Sequence, residues 1–361
     1  MKFDGIEHFD KFNEVIIFWV DASEMPPDVQ EQAKQIALED YEENWFGLCV
    51  HYKCESRVGK KTSGTICGRI RHVNTLKLIQ LYCTVCRHYN NTLTAETQRL
   101  SNNFRPKFTD EECTTAYLFG IAEGKFEVKA IHRFIKEYWG KWFPTLPSYQ
   151  NFNRRINYLA PAFKILCGLL LSDKENDNTA LSHLLDSMPI IVANQKRAKN
   201  AKVAKGLCAK GYCASKGIYY YGVKLHALGQ KQHGTLPLMR MLRVTAACEN
   251  DITVAKDWLS DVRGMEIFAD KMYADANWAN ELKSRDVRIF TPVKLAKGQK
   301  YLEPADAVFS RAVSRTRQAV ESLFNWIQQK THIQFASKVR SGNGLIAFIF
   351  ARLASLAFFY S

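Results

Sequence analysis

The stretch Met265-Glu-Ile-Phe-Ala-Asp-Lys-Met-Tyr273 narrows the possible folds more than any other part of the chain. Met265, Ile267, Phe268 and Ala269 form an apolar run that delivers one carboxylate, Asp270, before the pattern breaks into a polar turn and a helix. Buried strands of parallel sheets end this way, carrying a charged side chain to the carboxyl edge where open α/β sheets bind ligands. The competing reading is local, with Asp270 serving only to cap the next helix. A second acid upstream, a third downstream and strongly basic surroundings favour the first.

With 361 residues the chain can hold two domains, or a large one with one or two small ones. Fifty basic against 36 acidic side chains give a net charge of +14. A protein this basic usually meets a polyanion, either nucleic acid or an anionic membrane. The run Val15-Ile-Ile-Phe-Trp-Val20 is too short for a signal peptide and has acids on both sides. Leu345–Tyr360 is very apolar, but it is shorter than a membrane span and contains Arg352, so a buried core or dimer helix is expected there. Nucleic acid, not membrane, is the expected partner. The ten cysteines are scattered and fit reduced thiols in a cytosol. Cys83-Thr-Val-Cys86 beside His88, with Cys49, Cys54 and Cys67 upstream, admits a zinc site. The upstream spacing is irregular, however, and Leu81–Cys86 also reads as one buried helical turn.

Along the chain, residues 1–50 are acidic with amphipathic pieces such as Val29–Tyr41, and residues 51–107 turn basic, which suggests an accessory region. Thr109-Asp-Glu-Glu112 is a capping box that opens a helix to about Glu123. A second helix is expected over Phe126–Trp139. A third starts at Ser148 with Tyr149, Phe152, Ile156, Leu159 and Phe163 on one face and Arg154 and Arg155 on the other. Three short helices with basic residues on the last suggest a helix-turn-helix, with Arg154 and Arg155 as DNA-contact candidates weighed against a solvated face.

Beyond these helices the rhythm changes. Leu184–Val192 reads as a strand with Asp186 inside it. Next comes an acid-free loop carrying Lys196, Arg197, Lys199, Lys202, Lys205, Lys210 and Lys216. Strands are expected at Tyr219–Leu228 and Leu238–Ala247, then a helix at Asp251–Val262, a strand at Met265–Asp270 and a helix at Asn277–Arg285. A strand at Val287–Val293 and a long helix at Val313–Ile333 complete the order. Antiparallel strands first and crossovers later imply a mixed five-stranded sheet with flanking helices.

Three acids stand out on these elements. Asp186 and Asp270 converge if the first and fourth strands are adjacent, and Glu321 lies on the late helix with Arg317 one i,i+4 step before it. Buried together without a counter-ion the three would repel and shift their pKa values upward. A divalent cation resolves the conflict, because hard carboxylate oxygens suit Mg²⁺, or equally Mn²⁺. Glu266, Asp275, Glu303 and Asp306 are rival acids: Asp275 fits a helix N-cap, and Glu303 and Asp306 are expected in a loop.

Several segments together resemble the DDE transposases of bacterial insertion sequences, whose catalytic domain has an RNase H-like fold. They are Leu185-Asp-Ser-Met-Pro189, the lysine-rich loop ending in Lys210-Gly-Tyr212, Tyr220-Tyr-Gly-Val-Lys-Leu-His226, Phe268-Ala-Asp-Lys-Met-Tyr273 and Arg317-Gln-Ala-Val-Glu321. The resemblance implies that Asp186, Asp270 and Glu321 bind a pair of metal ions and that Arg317 holds the Glu or clamps a phosphate. It implies cleavage of transposon ends and 3′-OH strand transfer into target DNA, by a homodimer on double-stranded DNA in a bacterial cytoplasm, associated with the nucleoid. DNA-binding candidates are Arg154, Arg155, Lys196, Arg197, Lys199, Lys202, Lys205, Lys210, Lys224, His226 and Lys271, although His226 also reads as a satisfied core histidine. The implied organisation is an accessory region over 1–105, a helical DNA-binding domain over 106–175 and the catalytic domain over 176–361. The chain departs from the wider pattern at Ser314 and Gln328, where a Tyr and a Lys are usual. A metal-dependent nuclease of the same fold, or an inactive DNA-binding descendant, are the alternatives.

Overall fold

The computed structural model describes residues 63–98, 106–173, 182–213 and 216–359, without the side chains of 63–74. The acidic N-terminal stretch, the Val15–Val20 run, the Val29–Tyr41 piece, Cys49 and Cys54 lie outside the described residues, as does the side chain of Cys67. Two units divide the chain, residues 1–94 and 95–361. The described part of the first is helix α1 (Ser63–Asn91), with Leu78, Leu81 and Val85 buried along one face. Cys83 and Cys86 fall inside this helix, as the helical-turn reading of Leu81–Cys86 expects.

In the second unit a mixed sheet is built from β1 (Ser182–Asn194), β2 (Ala209–Cys213), β3 (Ile218–Gln230), β4 (Leu238–Ala246), β5 (Met265–Ala269) and β6 (Val287–Phe290). β3 lies antiparallel to β1, with Asp186 opposite Ala227, while β5 pairs parallel to β1 on its other side and β6 parallel to β5. The expected five-stranded sheet therefore has six strands. β2 and β4 share the free edge of β3, β4 along residues 223–230 and β2 along residues 218–222. Two glycines permit this. A Cβ at Gly222 would stand 2.1 Å from the Ile190 carbonyl oxygen, and one at Gly211 would stand 2.4 Å from the Ala247 carbonyl oxygen.

Helices cover both faces of the sheet. On one face α7 (Asp251–Trp258) and α8 (Ala276–Lys283) pack Ala255, Trp278 and Leu282 against Leu185, Ile267 and Ala269. On the other, α9 (Pro304–Thr331) lies against β1 and β5, burying Val313, Val320, Leu323 and Ile327. It begins at Pro304, not Val313. Proline with its preset φ suits a first helical turn, so Glu303 is the N-cap residue and Asp306 lies in the first turn, where a loop was expected. A single turn, α6 (Gln195–Ala198), comes directly after β1.

The remaining helices are α2 (Asp110–Ala122), α3 (Val128–Tyr138), α4 (Tyr149–Tyr158), α5 (Ala160–Ser172) and α10 (Gly342–Phe359). The capping box is formed: Thr109 Oγ1 accepts from the Glu112 amide at 3.2 Å, and Glu112 Oε2 accepts from the Thr109 amide at 2.6 Å. The helix expected from Ser148 through Phe163 is two helices, because the chain leaves helical geometry at Leu159 and Pro161 restarts it. α10 packs on α5 and α2, with 61% of its residues buried, and Ser355 Oγ donates to the Leu118 carbonyl at 3.1 Å.

Arg352 on α10 is buried, and its guanidinium donates to the carbonyls of Thr331 (2.9 Å), Phe348 (3.1 Å) and Phe126 (2.6 Å). Three carbonyl dipoles and the Phe348 ring, 3.5 Å away, stand in for a counter-ion, and Thr331 is the last residue of α9. Arg352→Met keeps the volume and strands the Thr331 and Phe126 carbonyls, so it should destabilise the fold by about 2–6 kcal/mol, at about 1–3 kcal/mol for each orphaned buried acceptor. Urea unfolding measures the loss, and hydrogen exchange should quicken first at the C-terminal turns of α9.

Candidate active site

Parallel pairing of β1 with β5 sets Leu184 beside Phe268 and Leu185 beside Ala269, so the next residue on each strand is an acid, Asp186 and Asp270. One Asp186 oxygen accepts from the Ser187 amide at 2.8 Å and the other from Arg317 at 2.8 Å. The same guanidinium donates its second terminal nitrogen to Glu321 at 2.7 Å. Arg317 thus clamps two carboxylates that lie far apart in the chain, and its Nε is buried without a hydrogen-bond partner. Asp270 accepts from the Lys271 amide at 2.7 Å, opening the short 3-10 turn Lys271–Tyr273. Asp270 therefore follows the last residue of β5 and caps the next turn.

Burial drives the Asp186 carboxyl up to about 6; the Ser187 amide and Arg317 oppose the shift, while Asp270 and Glu321 add to it. One guanidinium does not neutralise this group of acids. Tyr273 is buried beside them, with no hydrogen-bond partner for its hydroxyl. Burial, then the charges of Asp251 and Asp186, push its phenol above the ordinary range, so it stays protonated as a donor. Among the described residues no three His, Cys, Asp or Glu side chains stand close enough to hold one ion. Arg317 occupies the place between Asp186 and Glu321. The donor chemistry and the unmet negative charge nonetheless fit a hard divalent cation.

The opposite face of β1 and β3 carries a second polar group. Ser187 Oγ donates to Asp251 at 3.2 Å, and Lys224 Nζ donates to Asp251 at 2.9 Å and to the Glu249 carbonyl at 2.8 Å. Asp251 went unrecognised in the sequence. Its signal was an acid in the first turn of the helix after β4, the strand paired with β3 at Lys224.

Several expected DNA contacts are corrected. His226 is 1% exposed, hydrogen-bonded to Thr245 at 2.8 Å, and burial lowers its pKa to about 4, so it is a neutral core histidine out of reach of a DNA backbone. Lys224 is turned into the Asp251 pair with its side chain 16% exposed. Arg155 faces Asp110 in a bidentate ion pair and also donates to the Thr97 carbonyl at 3.3 Å, so it holds the helices together. Arg154, Lys196, Arg197, Lys199, Lys202, Lys205, Lys210 and Lys271 are exposed. Gln328, at the departure from the wider pattern, accepts from the Gln334 amide at 2.8 Å and so shapes the turn after α9. Asp275 is the N-cap expected of it, accepting from the Trp278 amide at 2.9 Å.

Because Asp186 gains its proton more readily folded than unfolded, its ionisation opposes folding, and the effect grows as pH rises from the ordinary 3.8 through about 6. Without added metal, Asp186→Asn should therefore be more stable than the parent at pH 7.5, by up to about 3 kcal/mol at about 1.4 kcal/mol per unit. The advantage should vanish below about pH 3, where the Asp186 carboxyl is protonated in the folded and unfolded states alike. Urea unfolding across this pH range checks both.

Residues 176–341, which include Asp186, Asp270, Arg317 and Glu321, match the family model described as a transposase DDE domain. Neither a curated protein nor a solved structure matches the chain.

Proposed function

We propose, from the match of residues 176–341 to the transposase DDE domain, that the protein is a metal-dependent DNA transposase whose Asp186, Asp270 and Glu321 form the reacting centre. The observation that carries this reading is the meeting of Asp186 and Glu321 on one guanidinium, across 131 positions of sequence from Asp186 to Arg317, beside the strand that ends in Asp270. Acids so distant in the chain, held at one sheet edge and incompletely neutralised, have no structural use that an apolar core would not serve better.

Antiparallel strands followed by two parallel crossovers support an RNase H-like assignment for the sheet. Mg²⁺ or Mn²⁺, as two ions, would be held by Asp186, Asp270 and Glu321, and when bound would activate the attacking oxygen and stabilise the leaving one. Arg317 supplies a guanidinium that matches either a carboxylate or a phosphate, so it can pass from the acids to the DNA backbone as the site fills. The lysines of residues 196–210 grip backbone phosphates and Lys271 does so beside Asp270, which positions the scissile bond. Positioning and charge neutralisation provide most of the rate in phosphoryl transfer. Water would cut the transposon end, and the freed 3′-OH would attack target DNA. Two ends need two copies, hence a homodimer on double-stranded DNA.

A duplex oligonucleotide carrying a pre-cut 3′-OH end, incubated with plasmid target and Mg²⁺, should give joined product. Cleavage without joining would mark a nuclease. Asp270→Asn and Glu321→Gln should lower joining by at least about a hundredfold, the scale at which a lost catalytic group shows, while DNA affinity holds. Joining by both variants at the parent rate would end the proposal. Affinity should fall steeply as salt rises from about 50 to about 200 mM, as expected where several phosphates are neutralised.

A further inference from the structure

The ribbon formed by β2 and the start of β3 carries a surface that phosphate gripping does not explain. Tyr212 and Tyr219 are direct cross-strand partners, their ring centroids 4.8 Å apart and their planes inclined by 46°. They are 51% and 62% exposed, whereas the adjacent Tyr220 is 1% exposed. Strand alternation accounts for the contrast. Cys213, Ile218 and Tyr220 face inward onto Ile191 and Ala247, which leaves Lys210, Tyr212 and Tyr219 exposed on the other face, where Tyr221 is buried. Tyr221 donates its hydroxyl to the Val203 carbonyl at 3.0 Å, which ties the loop bearing Lys199, Lys202 and Lys205 to that face.

We infer that Tyr212 and Tyr219 form a stacking platform for an unpaired nucleobase of the bound DNA, at a frayed end or flipped out of the duplex. This rests on the DNA-binding reading above and goes beyond it. Aromatic rings beside a basic, acid-free segment (196–216) suit a ligand with both a π-face and negative charge. Bases inside a duplex hide their faces, so a fully paired helix would use only the lysines. A second copy of this chain is a poor occupant, because the same cluster of cations would meet itself. An apolar partner segment would leave those cations without counter-charge.

The test uses the full chain with two probes: a blunt duplex, and the same duplex with a short single-stranded overhang carrying 2-aminopurine. The parent should quench 2-aminopurine on binding. The double variant Tyr212→Ala/Tyr219→Ala should lose the quenching and bind the overhang probe about tenfold more weakly, the scale of one lost aromatic stack, with blunt-duplex affinity unchanged. Tyr212→Phe/Tyr219→Phe should behave as the parent, since stacking needs only the ring. No quenching by the parent, equal loss on both probes, or a change only in oligomeric state by sedimentation would overturn the platform and leave the DNA reading standing. Failure of the parent to bind either probe would instead remove the DNA reading itself.

Discussion

The parallel pairing of β1 with β5 is the constraint on which the site depends. Once Leu185 lies beside Ala269, the two acids that come next on each strand must emerge at one sheet edge. That pairing is held from one face by Leu185, Ile267 and Ala269 packed under α7 and α8, and from the other by the apolar stripe of α9. A one-residue slip would turn Asp186 toward the wrong face and bury it among Ala255, Trp278 and Leu282. Register is thus enforced by the core, and the carboxylates take their positions from it.

Arg317 makes the unfilled arrangement tolerable. Without it Asp186 would face Asp270 and Glu321 in a half-dry cleft with only the Ser187 amide for relief. With it, the edge is held together by the clamp alone, and Glu321, half exposed on its helix, is drawn to the same guanidinium as Asp186. On the proposed metal-dependent reading, a cation would compete with the clamp for the same oxygens, and its affinity would depend partly on how readily the guanidinium finds other acceptors. Tyr273 is a second buried group beside the same acids, its hydroxyl without a hydrogen-bond partner.

Much of this was legible in the sequence because it rests on local pattern. The apolar run into Asp270, the Arg317–Glu321 spacing, the Thr109–Glu112 capping box and the Asp275 N-cap are each governed by a few adjacent residues. The features that escaped depended on distant contacts. Ala-Lys-Gly-Tyr-Cys (209–213) is short and centred on a glycine, and it is a strand because it pairs with residues 218–222 of β3, where Gly211 leaves room for the Ala247 carbonyl. Arg155 looked like a surface group, since nothing in its neighbourhood announced Asp110 as a partner, whereas the core reading of His226 held and lacked only the identity of its partner, Thr245. The early start of α9 was readable after all: Pro304 behind Glu303 is an ordinary helix opening.

The shared edge of β3 also bears on how such a protein can change. β2 and β4 lie end to end along one strand, and only β3 separates them from the strand that carries Asp186. A segment lodged there can be lengthened, shortened or recharged while β1, β5 and α9 keep their relative places. On the proposed reading, new preferences for nucleic acid would then be tried on an outlying ribbon, with the acid edge shielded from the experiment by one intervening strand.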